Sequence, residues 1–190
     1  MAASRPRNEF MHSLRQSVIL LCAAGLLAFG LPASADDAAD VNRLIKAGDV
    51  AAAFARLDDA LAKRPKDPQL RFLKGVMLAN ERRDAEAIAV FLGLNEDFPE
   101  LAEPYNNLAV LYAGQGEYDK ARIALEAAVR GNPSYATAYE NLGDMYVRLA
   151  ARAYARALRL DATNTALEPR IALLKGLVPD RPTPPKPATP

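Results

Sequence analysis

The apolar and polar positions of this chain recur at one fixed interval. Leu44, Leu78, Tyr112 and Tyr146 keep that step, as do Ala53, Ala87 and Ala121, and Leu57, Phe91 and Leu125. Pro65, Pro99 and Pro133 mark the same interval, and Gly75, Ala109 and Gly143 place a small residue at it. Inside one period the apolar residues fall twice at helical steps of three and four, with a break between. From Pro104 to Ala113 they are Tyr105, Leu108, Ala109, Leu111 and Tyr112; the second set is Tyr118, Ala121, Leu125, Ala128 and Val129. Gly114-Gln115-Gly116 separates them, because glycine readily adopts the backbone angles of a reversal. Gly131-Asn132-Pro133 ends the period. The pattern predicts pairs of antiparallel helices. Each pair is too small to bury its apolar face alone, so successive pairs must stack.

Tyr105, Leu108, Ala109, Tyr112, Gly116, Tyr118, Ala121, Leu125, Ala128 and Pro133 resemble the pattern of a tetratricopeptide repeat. The resemblance implies an all-α, right-handed superhelix of about four helix pairs, occupying residues 36–178. Its units are 34–67, 68–101, 102–135 and 136–164, followed by a C-terminal helix. Residues 68–101 keep Gly75, Leu78, Ala87, Phe91 and Pro99 but carry Arg71 and Lys74 where the family prefers apolar side chains. Leu70, Phe72 and Leu73 are expected to supply the buried face there. Residues 34–67 keep Leu44, Gly48, Val50, Ala53, Leu57, Ala60 and Pro65.

The fourth unit departs from the pattern. Nine positions lead from Tyr112 to Ala121, whereas four lead from Tyr146 to Ala150, and the turn with its glycine is missing. Between Ala136 and Leu160 no Gly or Pro occurs apart from Gly143, which sits at the close-packing position. Tyr139, Leu142, Tyr146, Leu149, Ala153, Ala157 and Leu160 form one helical stripe. One fused helix of about 24 residues, roughly 36 Å long, is expected, with a tight kink at Leu149-Ala150 as the alternative. Its stripe needs cover, either from Leu167 to Val178, where Leu167, Ile171, Leu174 and Val178 lie at helical spacing, or from a second copy. The candidate association stripe is Tyr146, Leu149, Ala153, Tyr154, Ala157 and Leu160. Arg148, Arg152, Arg156 and Arg159 read as a solvated face beside it.

The resemblance also implies a function. First helices of successive repeats line a groove that takes peptides or helices, and four positions of each unit face it. Carried over, these are Gln69, Phe72, Leu73 and Val76; Glu103, Asn106, Asn107 and Val110; and Thr137, Glu140, Asn141 and Asp144. Asn107 and Asn141 stand one period apart, and an amide can donate to and accept from an extended peptide backbone. The competing reading is that both serve local hydrogen bonds. Glu103, Glu140 and Asp144 make the groove mildly acidic.

The two ends change the picture of where the chain acts. Arg5, Arg7 and Arg15 precede an uncharged apolar run, Val18 to Leu31, which Pro32-Ala33-Ser34-Ala35 follows. That layout is a secretory signal peptide over residues 1–35, cleaved after Ala35, with Met11 as an alternative start. The run is 14 residues, short of the roughly 20 a membrane span needs. No integral span is expected once the signal is removed; the rival reading is an uncleaved anchor. Leu21 before Cys22 argues against lipid attachment there. Residues 179–190 hold six prolines and read as an extended, solvated tail.

The one histidine, His12, and the one cysteine, Cys22, both fall within the signal. A mature chain without either lacks the commonest general base, zinc ligands and thiol nucleophile. No catalytic, cofactor or metal site is expected, and carboxylate chemistry stays as an outside reading. The whole chain has 24 Lys+Arg against 23 Asp+Glu, so charge gives no reason to bind nucleic acid. The sequence thus predicts a non-catalytic scaffold of the bacterial envelope, most simply periplasmic, with protein or peptide partners. The alternative is a module that self-associates, as a homodimer, through its long helix.

Overall fold

The protein's computed structural model describes the backbone of residues 32–178 and the side chains from Asp37 onward. The expected signal falls outside the described residues except for the backbone of 32–35, and the proline-rich segment 179–190 falls outside them entirely. Among the described residues there are eight helices and no strand. They are α1 (Pro32–Lys46), α2 (Val50–Lys63), α3 (Pro68–Asn80), α4 (Asp84–Asp97), α5 (Ala102–Gly114), α6 (Tyr118–Gly131), α7 (Ala136–Leu160) and α8 (Leu167–Leu177). Two compact units divide the chain between Lys74 and Gly75, inside α3.

In the first unit α1 packs on α2. Val41 of α1 and Ala53, Leu57 and Ala60 of α2 are fully enclosed. The alanines keep the helix axes close, as the sequence pattern requires. Around this small core runs a charge network: Asp37 pairs with Arg56 and Arg64, and Asp40 with Arg43 and Arg56. Asp49 caps α2 by accepting from the Ala52 N–H at 3.0 Å, and Asp67 caps α3 by accepting from the N–H groups of Gln69 and Leu70.

The second unit carries α4 to α8 in sequence: α4 packs on α5, α5 on α6, α6 on α7, and α7 on α8. Phe91, Leu94, Leu125, Ala121 and Ala128 are buried to 1% exposure or less. Gly75 lies against the Phe91 ring so closely that a Cβ there would come within 2.6 Å of it. Only a glycine fits that contact.

The turns repeat as the side chains do. Gly48, Arg82 and Gly116 take positive φ of 79°, 62° and 78°, and the next residues, Asp49, Arg83 and Glu117, donate to the carbonyls of Leu44, Leu78 and Tyr112. This closes each first helix by the left-handed route. Arg82 does so without being glycine, so a turn at this register survives an unfavourable residue.

At the fourth recurrence no turn forms. α7 runs unbroken through Arg148 to Ala151 for 25 residues, the fused helix expected from the turnless sequence. α8 returns along it, opened by Leu167, which is 7% exposed. Two expectations change here. Gly143 has no neighbour near its would-be Cβ, because the fused helix removes the returning second helix that would have pressed on it. The half-buried positions of the distal half include Val147, Ala151, Tyr154, Ala155 and Leu158, while Ala153, Ala157 and Leu160 of the expected stripe are exposed.

A candidate protein-binding face on α5 and α7

α5 and α7 are the first helices of the third and fourth periods, and they touch directly. Their contact is fixed by an amide pair: Asn141 Nδ2 donates to Asn106 Oδ1 at 2.8 Å. Asn106 is 4% exposed, so this bond forms under cover, where it is worth more than at the surface. Asn107 Nδ2 donates to the carbonyl of Glu103 at 2.9 Å, one turn earlier on its own helix. Both asparagines expected to grip a peptide therefore spend a donor on the protein itself. Their carboxamides stay half-buried beside the open surface.

Of these groove positions Val110 is 40% exposed and Glu140 is exposed, while Glu103, Thr137, Asn141 and Asp144 are half-buried. Burial raises the Asp144 carboxyl above the usual range, Arg148 opposes the shift, and Glu140 adds to it. The two helices thus present one open apolar side chain, Val110, and an interacting pair of carboxylates, Glu140 and Asp144. Of the residues carried over from 68–101, Phe72, Leu73 and Val76 are buried at 8%, 5% and 5%, and Gln69 is half-buried. Those three serve the core and offer no open wall.

The candidate association stripe is likewise divided. Tyr146 is half exposed, and its hydroxyl donates to Glu126 Oε1 at 3.3 Å, a carboxylate already held low by Arg122. Leu149 and Tyr154 are half-buried, and the Arg170 guanidinium stacks over the Tyr154 ring. Arg148 stacks over Tyr118 and Arg152 sits 3.7 Å from Asp119, so this pair of arginines ties α7 to α6. Sequence reasoning missed Leu173 and Leu177 on α8, which are 66% and 61% exposed. Their spacing of four was the available signal.

Among the described residues no group of three or more His, Cys, Asp or Glu could hold a metal, and no helix is long and apolar enough to cross a membrane.

Such an array of small-residue helix pairs, with a left-handed turn closing each first helix at a constant register, defines a class. Tetratricopeptide-repeat family models match residues 38–101 and 102–145, together more than half of the chain. Over that span the chain is a tetratricopeptide-repeat protein, a family that is typically a non-catalytic mediator of protein–protein interaction. A similar curated protein is the tetratricopeptide repeat domain-containing protein PYG7, chloroplastic, of Arabidopsis thaliana, 37% identical over 94 residues, covering 43% of this chain and 31% of that protein. The chain thus spans under a third of that relative's length. Among solved structures, YrrB, described as a TPR protein with an unusual peptide-binding site, is 28% identical, with TM-score 0.51 over 55% of this chain and 54% of that one. MamA from Desulfovibrio magneticus RS-1 shares the fold at 22% identity, with TM-score 0.55 over 75% of this chain and 85% of that one.

Proposed function

We propose that the chain is a non-catalytic scaffold exported to the bacterial envelope, most simply the periplasm. It binds peptide or helical segments of envelope proteins on the face formed by α5 and α7. The observation that carries this reading is the Asn141–Asn106 bond, which ties two first helices together while Val110, on the first of them, stays exposed. YrrB, whose structure is described by its peptide-binding site, supports it by similarity. A photo-crosslinking residue at Val110 or Glu140 should capture a protein in living cells, while one at exposed Asp59 on α2 should not. Equal capture from all three positions contradicts the reading. Export is tested separately: protein from the envelope fraction should begin at Asp36, whereas an intact amino terminus there favours an anchor.

A second reading, self-association, rests on Leu160, Leu173 and Leu177, three large apolar side chains each more than 60% exposed on α7 and α8. Light scattering of the exported chain at micromolar concentration distinguishes the two. A dimer that Leu173→Asp with Leu177→Asp dissolves supports self-association; a monomer excludes it.

A further inference from the structure

Asn95 interrupts the apolar pattern where interruption is unfavourable. One period before it stands Leu61, and one period after it Val129. Asn95 is 9% exposed, and neither its Oδ1 nor its Nδ2 has a hydrogen-bond partner among the described residues. A buried amide in that state is less stable than an apolar side chain of similar size, so packing alone does not account for it.

The side chain lines a pocket of about 400 Å³ among α4, α5 and α6, within the size range of small-ligand sites. Leu92, Tyr105, Leu108, Tyr112 and Ile123 give it apolar walls. Leu92 and Ile123 are 41% and 56% exposed, so they remain open to a partner. Glu96 and Lys120 bring one charge of each sign, which favours neither an acidic nor a basic ligand. On α5 the pocket uses Tyr105, Leu108 and Tyr112, a different side of the helix from Glu103, Asn107 and Val110.

We propose that this pocket holds an extended peptide by one aliphatic side chain, with the Asn95 amide pairing to the adjoining peptide unit. A peptide bond offers the donor and the acceptor that Asn95 lacks, and the walls offer an apolar seat beside it. Both amide atoms are closed off from the surface, so pairing requires the amide to turn about its broad terminal torsion as the peptide seats. The site is separate from the α5–α7 face and stands or falls without it.

The test is nuclear magnetic resonance on the full chain, titrated with acetyl-Ala-Leu-Ala-methylamide. The expected result is a saturable shift of the Leu92 and Ile123 methyls and of the Asn95 side-chain amide. Acetyl-Ala-Ala-Ala-methylamide and the Asn95→Leu variant should each weaken binding roughly tenfold, the scale of one buried contact or hydrogen bond. Asn95→Leu should also unfold at a temperature no lower than the parent. Ile123→Asp, at an exposed position, should weaken binding equally and keeps the test valid if Asn95→Leu misfolds. Absence of saturation at millimolar peptide, or unchanged binding in both variants, overturns the proposal. So do probe-free shifts that move with protein concentration, which would seat a second copy in the pocket. Shifts confined to residues 179–190 on introducing Asn95→Leu would seat the chain's own tail there, and overturn it as well.

Discussion

The helix pair α5–α6 and the single helix α7 begin with similar first-helix sequences and end as different objects. Their end points show how. Arg64, Phe98 and Asn132 each donate a backbone N–H to the carbonyl four residues back, closing a second helix once per full period; Asp161 does the same for α7, but five positions early. That shortfall equals the difference between the nine positions from Tyr112 to Ala121 and the four from Tyr146 to Ala150. The rest of the repeat is present, and only its turn is gone. Position 150 would take the place of Gly48, Arg82 and Gly116, but it is an alanine inside a helix. Removing a turn thus converts a packed pair into a rod, and α8 has to cover what the lost hairpin would have covered.

The largest effect that would break this comparison is Ala150→Pro. In a continuous helix, proline removes a hydrogen bond and clashes with the preceding turn, at a cost of about 3 kcal/mol or more. The far-ultraviolet helical signal should fall and denaturation should show an early loss of α7 and α8. Ala150→Gly separates the two cases: in a continuous helix it costs about 0.5–1 kcal/mol, whereas at a positive-φ turn like those of Gly48 and Gly116 it would stabilise. Next is Gly75→Ala, where the new Cβ meets the buried Phe91 ring; about 1–3 kcal/mol should be lost in a urea melt. Gly143→Ala occupies the matching place in the turnless unit and meets nothing, so it should stabilise by about 0.5–1 kcal/mol. Equal effects at the two glycines would show that α7 is covered as a normal pair is.

The smallest effect is Asp144→Asn. Burial raises this carboxyl's pKa above its unfolded value, so its ionised form is disfavoured in the fold. The penalty is present above the folded pKa and disappears as pH falls through it, when the folded state takes up the proton first. Asp144→Asn should therefore raise the melting temperature slightly at pH 7 and lose that advantage in acid. An advantage that grows on acidification contradicts this assignment.

The helices, their turns and the fusion were legible because each depends on local residue types: glycine at a reversal, alanine at a close contact, and the lack of any turn residue between Met145 and Leu160. The covered side of α7 was not legible. Its distal half is so rich in alanine that Val147, Ala151, Ala155 and Leu158 read as apolar as Ala153, Ala157 and Leu160 do. Where α8 lands after residues 161–166 decides between them. The binding face was half legible. Asn141 and Asn106 both fall at groove positions of the repeat, but a bond between side chains so far apart in the chain needs coordinates. Asn95 could have been found by setting it beside Leu61 and Val129, since a polar residue in an apolar column is visible without any structure.

The fusion of α7 is most directly tested by a spin-label distance between Glu140→Cys and Arg159→Cys, both exposed, with Cys22 replaced by Ser. An unbroken helix separates these positions by about 28 Å along its axis. A dominant distance of that size is the expected result. A dominant distance of about 10 Å, the spacing of two packed helices, would mean that the chain folds back at Leu149-Ala150 and that the fourth unit is an ordinary pair.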